Sequence, residues 1–84
     1  MIQANEVRPY WNKTAAEFLK GRTIKDVRYL SEEEAEDMGW RSCSVVIVLD
    51  DDSMWFPSRD DEGNDAGALF GQSADGTERT LPVI

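Results

Sequence analysis

The clearest pattern of apolar and polar positions lies in the middle of the chain. Residues 43–49 read Cys-Ser-Val-Val-Ile-Val-Leu, which places apolar side chains on both faces of an extended backbone. A strand of this kind is typical of the interior of a sheet. Residues 50–53 then predict a tight turn with Asp52 in the left-handed conformation. The turn leads into a second strand at residues 54–56.

Residues 23–30 predict another strand with a simpler alternation. Val27 and Tyr29 fall on one face, and Asp26 and Arg28 fall on the other. This alternation has the period of two that is characteristic of a strand.

The end of the chain predicts a last strand over residues 77–84, with Leu81 and Val83 pointing inward. Pro82 indicates that this strand lies at an edge, because proline lacks the N–H that a sheet ladder needs. Pro57 likewise indicates an edge or the end of strand pairing.

Two helix starts carry the Ser/Thr-x-x-Glu pattern of a capping box. The first, at residues 14–17, predicts a short helix through residue 20 that stops at Gly21. The second, at residues 31–34, predicts a helix that stops at Gly39. Residues 1–13 then form an N-terminal tail or arm that packs on the body or on a neighbouring subunit.

The order helix, strand, helix and strand meander predicts one α+β domain over residues 1–84. We expect a small antiparallel sheet of three to five strands, either open or curled like a barrel, and two short helices. At 84 residues only about 60% of the unfolded chain's surface is buried on folding, so oligomerisation would add stability. The longest apolar run is too short to span a bilayer, and the first residues lack the features of a secretory signal. A cytoplasmic protein is therefore expected.

Charge is distributed unevenly along the chain. Residues 1–30 contain six basic and three acidic residues, a balance of +3, whereas residues 31–84 contain three basic and 14 acidic residues, a balance of −11. Binding to nucleic acid or to an anionic membrane is disfavoured, because both depend on cations that meet phosphates. A basic protein or a divalent cation fits the charge better.

The residue types that are missing exclude most catalytic chemistry. The chain has no histidine, and its single cysteine, Cys43, is expected to be a buried small apolar residue. Histidine-based acid–base pairs, zinc sites and paired redox cysteines are thereby excluded. No glycine-rich phosphate-binding motif occurs. We therefore expect a protein without enzymatic activity, catalytic residues, metal or cofactor.

The acidic segment at residues 60–65 is the strongest candidate for a binding loop. Asp60, Glu62 and Asn64 alternate like the first ligands of a calcium loop, but Asp65 stands where the sharp-turn glycine belongs and Gly71 where the bidentate glutamate belongs. The carboxylates can instead accept hydrogen bonds from their own backbone. Divalent-cation or small-ligand binding remains the alternative. After the loop, residues 68–70 are expected to plug it onto the core.

The three tryptophans suggest an interaction surface, since exposed Trp beside polar groups is common in interface hot spots. Each can also be filling the core. The surface would join the Tyr10–Trp11 pair to the acidic loop and two further tryptophans. The candidate binding residues are Trp40, Trp55, Asp60, Asp61, Glu62, Asn64 and Asp65.

Three hypotheses on function follow. The first is a non-enzymatic protein-interaction module, bound to a second copy in a homodimer or to an unidentified protein partner. The second is cation or ligand binding through the acidic loop. The third is an acidic mimic of nucleic acid that occupies a basic cleft on another protein.

Several segments resemble a known family when taken together. They are Gly-Arg-Thr-Ile from residue 21, the run from residue 27 to Trp40, Val-Val-Ile-Val-Leu-Asp from residue 45, and Asp-Asp-Glu-Gly-Asn-Asp-Ala-Gly-Ala-Leu-Phe from residue 60. Over roughly residues 14–84 the chain resembles a family of short uncharacterised proteins from bacteria and their phages, of which a DDEGNxxGALF motif is the most distinctive part. The chain departs from that pattern at Asp52 and at residues 42–43. The resemblance implies no activity, cofactor or catalytic residue.

Overall fold

The computed structural model describes residues 4–57 and 65–84 and shows an α+β fold. Its five strands pair in chain order, each antiparallel to the next, in an open sheet with β1 and β5 at the edges. The predicted fold class is therefore confirmed in its open form. The elements are a 3₁₀ turn at Ala4–Glu6, α1 at Val7–Leu19, β1 at Ile24–Tyr29, α2 at Glu32–Asp37, β2 at Val45–Leu49, β3 at Met54–Pro57, β4 at Leu69–Gln72 and β5 at Glu78–Leu81. Neither helix of the described part is long and apolar enough to cross a bilayer.

Helix α1 begins seven residues before the predicted start. Thr14 lies inside the helix, where its hydroxyl donates to the carbonyl oxygen of Tyr10 at 2.9 Å, so the predicted capping box at residues 14–17 is wrong. Pro9 does not prevent the early start, because it lies in the first turn, where no intrahelical N–H is needed. Gly21 follows the helix with a φ of 77°, as its predicted role as the stop requires.

Helix α2 has the predicted boundaries and both of its ends are capped. The Ser31 hydroxyl accepts from the backbone N–H of Glu34, and the Glu34 carboxylate accepts from the N–H of Ser31, which confirms the capping box. At the other end Gly39 has a φ of 77°, and the N–H of Trp40 donates to the carbonyl of Ala35 at 2.8 Å. This Schellman motif ends the helix and reverses the chain direction, which fixes the backbone position of Trp40.

The sheet has two faces that bury different sets of side chains. The face toward α2, called here the α2 face, carries Val46, Val48, Met54, Phe56 and Phe70. The opposite α1 face carries Val27, Val45, Ile47, Trp55, Gly71 and Arg79. Leu30, Val46 and Phe56 form the buried centre of the α2 face, and Trp40 packs against it.

On the α1 face, Trp55 forms a second buried site. Its ring is 2% exposed and lies 5.7 Å from that of Phe18 in α1. The Arg79 guanidinium covers the far side of Phe18, 4.2 Å from the ring centroid. Helix α1 accordingly lies against β5, at the opposite end of the sheet from β1.

Several strand predictions need correction. Cys43 lies before β2 and packs half-buried against the α2-face core, not on the face of Val45. Residues 69–70 form part of β4, which the sequence did not predict, and Phe70 packs against the core as expected. Pro57 is the last residue of β3, which is an interior strand, so it marks the end of pairing and not an edge. Val83 lies after the end of β5 and is exposed, so it does not point inward as predicted. The predicted left-handed Asp52 is confirmed, with a φ of 64°.

Candidate functional site

A groove of about 540 Å³ lies on the α2 face, between α2 and strands β3–β5. Its apolar floor consists of Met54, Phe56 and Phe70. The remaining lining residues come from the α2 side and from the last two strands: Leu30, Glu34, Asp37, Met38, Trp40, Gly71, Gln72, Glu78, Arg79 and Thr80. The groove therefore combines an aromatic floor with carboxylates at its rim.

The aromatic rings of the groove stand nearly perpendicular to one another. The Trp40 and Phe56 centroids are 5.9 Å apart with an angle of 79° between the ring planes. Phe56 and Phe70 are 6.1 Å apart at 74°. Because such edge-to-face packing fixes the ring positions, the groove offers aromatic surface to a bound apolar or cationic group.

The first rim carboxylate is neutralised within the molecule. Glu34 accepts two hydrogen bonds from the Arg28 guanidinium, at 2.8 and 3.0 Å, and one from the backbone N–H of Ser31 at 2.8 Å. The Arg28 bonds, supported by those of Ser31, lower the pKa of Glu34 to about 2. Glu34 is thus ionised at neutral pH, with its charge already paired.

The other two rim carboxylates are available. No cation of residues 4–57 or 65–84 lies within ion-pair distance of Asp37 or Glu78. Arg79 follows Glu78 directly, but its guanidinium lies on the opposite face over Phe18. Residue 79 nevertheless contributes to the lining of the groove, although its guanidinium packs over Phe18; the other charged lining residues, Glu34, Asp37 and Glu78, are acidic.

Of the two candidate tryptophans, only Trp40 lines the groove. Trp55 is buried on the opposite face, where its Nε1 donates to the hydroxyl of Ser53 at 3.1 Å. The hypothesis of a single surface that joins these two tryptophans is therefore wrong, because Trp40 packs on Phe56, whose side chain points to the face of β3 opposite that of Trp55. Tyr10 and Trp11 pack edge to face within α1, with centroids 4.9 Å apart.

The predicted acidic site is described only at its end. Asp60, Asp61, Glu62 and Asn64 lie outside the described residues. Asp65 is exposed, and its carboxylate accepts the N–H of Ala66 at 2.7 Å, which is the self-bonded form that the sequence allows. Elsewhere in the described chain, no group of three cysteine or acidic side chains could share a metal ion.

The acids of the β2–β3 turn face the basic first third of the chain. Arg22 lies 3.7 Å from the carboxylate of Asp50 and 3.6 Å from that of Asp51. Lys25 forms an ion pair with Asp52. Some of the basic residues of the first third thus form ion pairs with acidic residues of the same chain, so these carboxylates are less available to a partner.

Of the residues that line the groove, Trp40 alone was among the sequence candidates; the missed residues that matter most for binding are Asp37, Phe56, Phe70 and Glu78. Phe56 and Phe70 could have been proposed from the sequence, since both belong to apolar segments next to the acidic loop. Asp37 and Glu78 had none, because the placement of α2 and the register of β4 and β5 decide that both line the same groove.

Comparisons with protein-family models, with curated proteins and with solved structures found no match to this chain.

Proposed function

We propose that this protein is a non-enzymatic protein-interaction module whose groove binds a protein segment with a basic side chain next to an apolar one. The observation that carries the proposal is an aromatic floor in a groove that is also lined by Asp37 and Glu78, two carboxylates without an ion pair to any cation of residues 4–57 and 65–84. A cation over aromatic rings is attracted by their negative faces, and a nearby carboxylate adds to that attraction.

The size of the groove supports a segment as the ligand. A volume of about 540 Å³ falls in the range of sites that enclose a small ligand or a few side chains. The walls are formed by side chains of α2 and of the sheet, so an extended peptide could place one apolar side chain on Phe56 and Phe70. A neighbouring Lys or Arg would then reach Asp37 or Glu78.

The charge of the whole chain supports a basic partner. A net charge of −8 accelerates the approach of positively charged proteins and repels nucleic acids. We expect the association rate with a basic segment to fall as salt concentration rises, because screening weakens this attraction.

The alternative functions are less well supported. Cation binding through residues 60–65 has no specific observation in its favour, since Asp65 bonds to its own backbone. A mimic of nucleic acid needs free carboxylates on a continuous face, yet Glu34, Asp50, Asp51 and Asp52 are paired with cations of the same chain.

Titration of the isotope-labelled protein with two synthetic peptides tests the proposal. One peptide alternates Lys with Leu and Phe, and the other has Glu at each Lys position. We expect saturable amide and side-chain NMR shifts at Trp40, Phe56 and Phe70 with the basic peptide alone. Equal shifts with both peptides, or none at millimolar basic peptide, would contradict the proposal.

A pair of matched variants tests the role of the rim. Asp37→Asn combined with Glu78→Gln removes two charges from the groove and should weaken binding of the basic peptide about tenfold. Glu6→Gln combined with Glu17→Gln removes two exposed charges from the region of α1 and should change binding much less. Equal losses in both double variants would mean that net charge, and not the groove, attracts the peptide.

A further inference from the structure

The two edge strands of the sheet differ in what their outward backbone groups contact. At β1 the pairing with β2 turns the backbone groups of residues 27 and 29 outward. The N–H of Val27 donates to the Asp26 carboxylate at 2.9 Å. The Arg28 guanidinium donates to the carbonyl of Tyr29 at 3.1 Å. Side chains that occupy an edge in this way discourage the addition of another strand.

The edge at β5 is open by comparison. Ser73 donates its N–H to the carbonyl of Thr77 at 2.9 Å, so the backbone groups of Arg79, two residues on, also point toward β4. Glu78 and Thr80 therefore turn their N–H and C=O groups outward. Both residues are exposed, and no hydrogen bond to these four groups is made within residues 4–57 and 65–84.

The open part of the β5 edge is short and has defined ends. The next outward position is Pro82, which has no N–H to donate. Before Glu78 the chain forms the turn from β4, in which Gly76 has a φ of 91°. Two residues thus present four backbone groups, which an extended segment of three residues can cover.

We propose that the β5 edge binds an extended basic segment of a partner protein as a sixth, antiparallel strand. Outward N–H and C=O groups on alternate residues match the backbone of such a segment, and strand addition is a recurring mode of peptide recognition. Antiparallel pairing continues the pattern of all four existing strand pairs. Strand addition rests on the proposed function, because it is the way in which the segment that enters the groove is held.

Charge complementarity selects a basic segment. Glu78 and Thr80 both line the groove. In an antiparallel pair, the partner residues opposite them project onto the same face, with Cβ atoms about 4.5–5.5 Å away. A Lys or Arg opposite Glu78 meets a carboxylate that has no ion pair to any cation of residues 4–57 and 65–84. A second copy of this chain is disfavoured as the partner, because two chains of charge −8 repel each other.

The geometry of the edge also sets the spacing of the segment. Alternate residues of a strand share a face, so the residues opposite Thr80 and Glu78 are separated by one position. An apolar side chain is favoured opposite Thr80, which pairs with Phe70 of the groove floor. Antiparallel direction places this residue first, so the expected pattern is apolar, any residue, basic. The middle residue lies beside Arg79, whose guanidinium is held over Phe18 on the other face.

Backbone-methylated peptides test strand addition to the full chain. The probe is a capped peptide of Ser and Thr that contains one Leu and, two positions later, one Lys. The N–H groups of the Leu and the Lys point to β5, whereas the N–H between them points away. Methylation of the Lys backbone nitrogen should weaken binding about tenfold or more, as measured by NMR titration. Methylation of the intervening nitrogen is the matched control and should change the dissociation constant less than about threefold.

Amide hydrogen exchange and one pair of variants locate the bound segment on the protein. The N–H groups of Glu78 and Thr80 should exchange about tenfold more slowly with the peptide bound, whereas that of Arg79, already directed at β4, should change little. Thr80→Pro removes an outward N–H at an edge position where proline is tolerated. Thr80→Ala also loses the Thr side chain but keeps the N–H, and the proline variant should bind about tenfold more weakly than the alanine variant.

The outcomes separate strand addition from the proposed function. Equal binding of both methylated peptides, with shifts at Trp40 and Phe70, overturns strand addition and leaves the groove as a site for side chains alone. The same conclusion follows if the Leu and Lys probe fails while the peptide that alternates Lys with Leu and Phe binds. No binding of either peptide overturns both proposals. If circular dichroism shows that Thr80→Pro is unfolded, the methylated peptides still decide.

Discussion

At the scale of single residues, Gly71 shows how closely the α1 face is packed. It lies on β4 directly opposite Trp55 of β3, and the indole ring lies over its backbone. A Cβ atom at residue 71 would come within 2.4–2.6 Å of three ring carbons of Trp55. Since carbon atoms pack at about 3.5–4.0 Å, no side chain fits here without displacing the ring.

Gly71→Ala should therefore destabilise the fold by about 1–3 kcal/mol through overpacking. Urea unfolding of the variant measures the change, and the emission of Trp55 reports whether its ring moves. Thr80→Ala, at an exposed position of β5, is the control and should have a small effect. Combining Gly71→Ala with Trp55→Phe should cost less than the sum of the two single changes, and strict additivity would contradict the contact.

At the scale of elements, α2 shows how a helix of six residues persists. An isolated helix of this length is not stable in water. Here the capping box satisfies its first N–H groups, and the Schellman motif satisfies its last carbonyls. The two hydrogen bonds between Arg28 and Glu34 attach α2 to β1. Because Trp40 follows directly, this attachment also fixes one wall of the groove.

The pH dependence of stability should report the Arg28–Glu34 contact. The pKa of Glu34 is about 2 in the folded chain, below its ordinary value of 4.5. A lowered folded-state pKa gives a contribution that is complete above about pH 4.5 and is lost as the pH falls toward 2. Glu34→Gln should therefore lower the free energy of unfolding at pH 7, and the difference from the unmodified protein should vanish near pH 2.

We expect the difference at pH 7 to be about 1 kcal/mol, because both side chains are more than one third exposed and water screens the pair. Urea unfolding at several pH values between 2 and 7 measures it. Glu33→Gln, an exposed change in the same helical turn, is the control. A difference between the Glu34 variant and the unmodified protein that stays constant down to pH 2 would contradict the assignment.

At the scale of the whole molecule, two surfaces of opposite character lie on opposite faces of one sheet. The groove is lined by aromatic rings and by three acidic residues together with Arg79, whereas the exposed side chains of Ile24, Val27 and Tyr29 at the β1 end of the other face are apolar or aromatic. Each helix covers only part of its own face, which leaves both surfaces accessible. A five-stranded sheet in so small a chain is wider than its two helices can cover.

The net charge of −8 should make stability depend on salt in a specific direction. Self-repulsion destabilises a compact chain, and the exposed ion pairs contribute little in return. Raising NaCl from about 10 mM to about 0.3 M, which shortens the screening length, should therefore raise the melting temperature. The measurement is made at micromolar protein, so that self-association does not contribute.

A control variant identifies the source of that salt effect. Changing Glu17, Glu32, Glu33 and Glu36 to Gln reduces the net charge to about half without removing a recorded ion pair. The melting temperature of this variant should rise less with NaCl. An equal rise in both proteins would mean that the salt acts on something other than the net charge.

The sequence by itself determined those features that depend on neighbouring residues. The α2 capping box, the stops at Gly21 and Gly39, and the left-handed Asp52 follow from hydrogen bonds and backbone preferences within a few positions. The same local pattern at residues 14–17 was misleading, because the upstream residues can continue the helix and Thr14 then bonds to Tyr10.

Only the tertiary structure decided which side chains lie on each of the two faces of the sheet. Trp40 and Trp55 look equivalent in the sequence, but the chain reversal after α2 places Trp40 in the groove, whereas strand alternation along β3 buries Trp55 against α1. Asp37 and Glu78 line one groove because of where α2 lies on the sheet and how β5 pairs with β4, and Val27 remains exposed because α1 lies at the far edge. Contacts between distant residues depend on register and helix placement, which no local segment encodes alone.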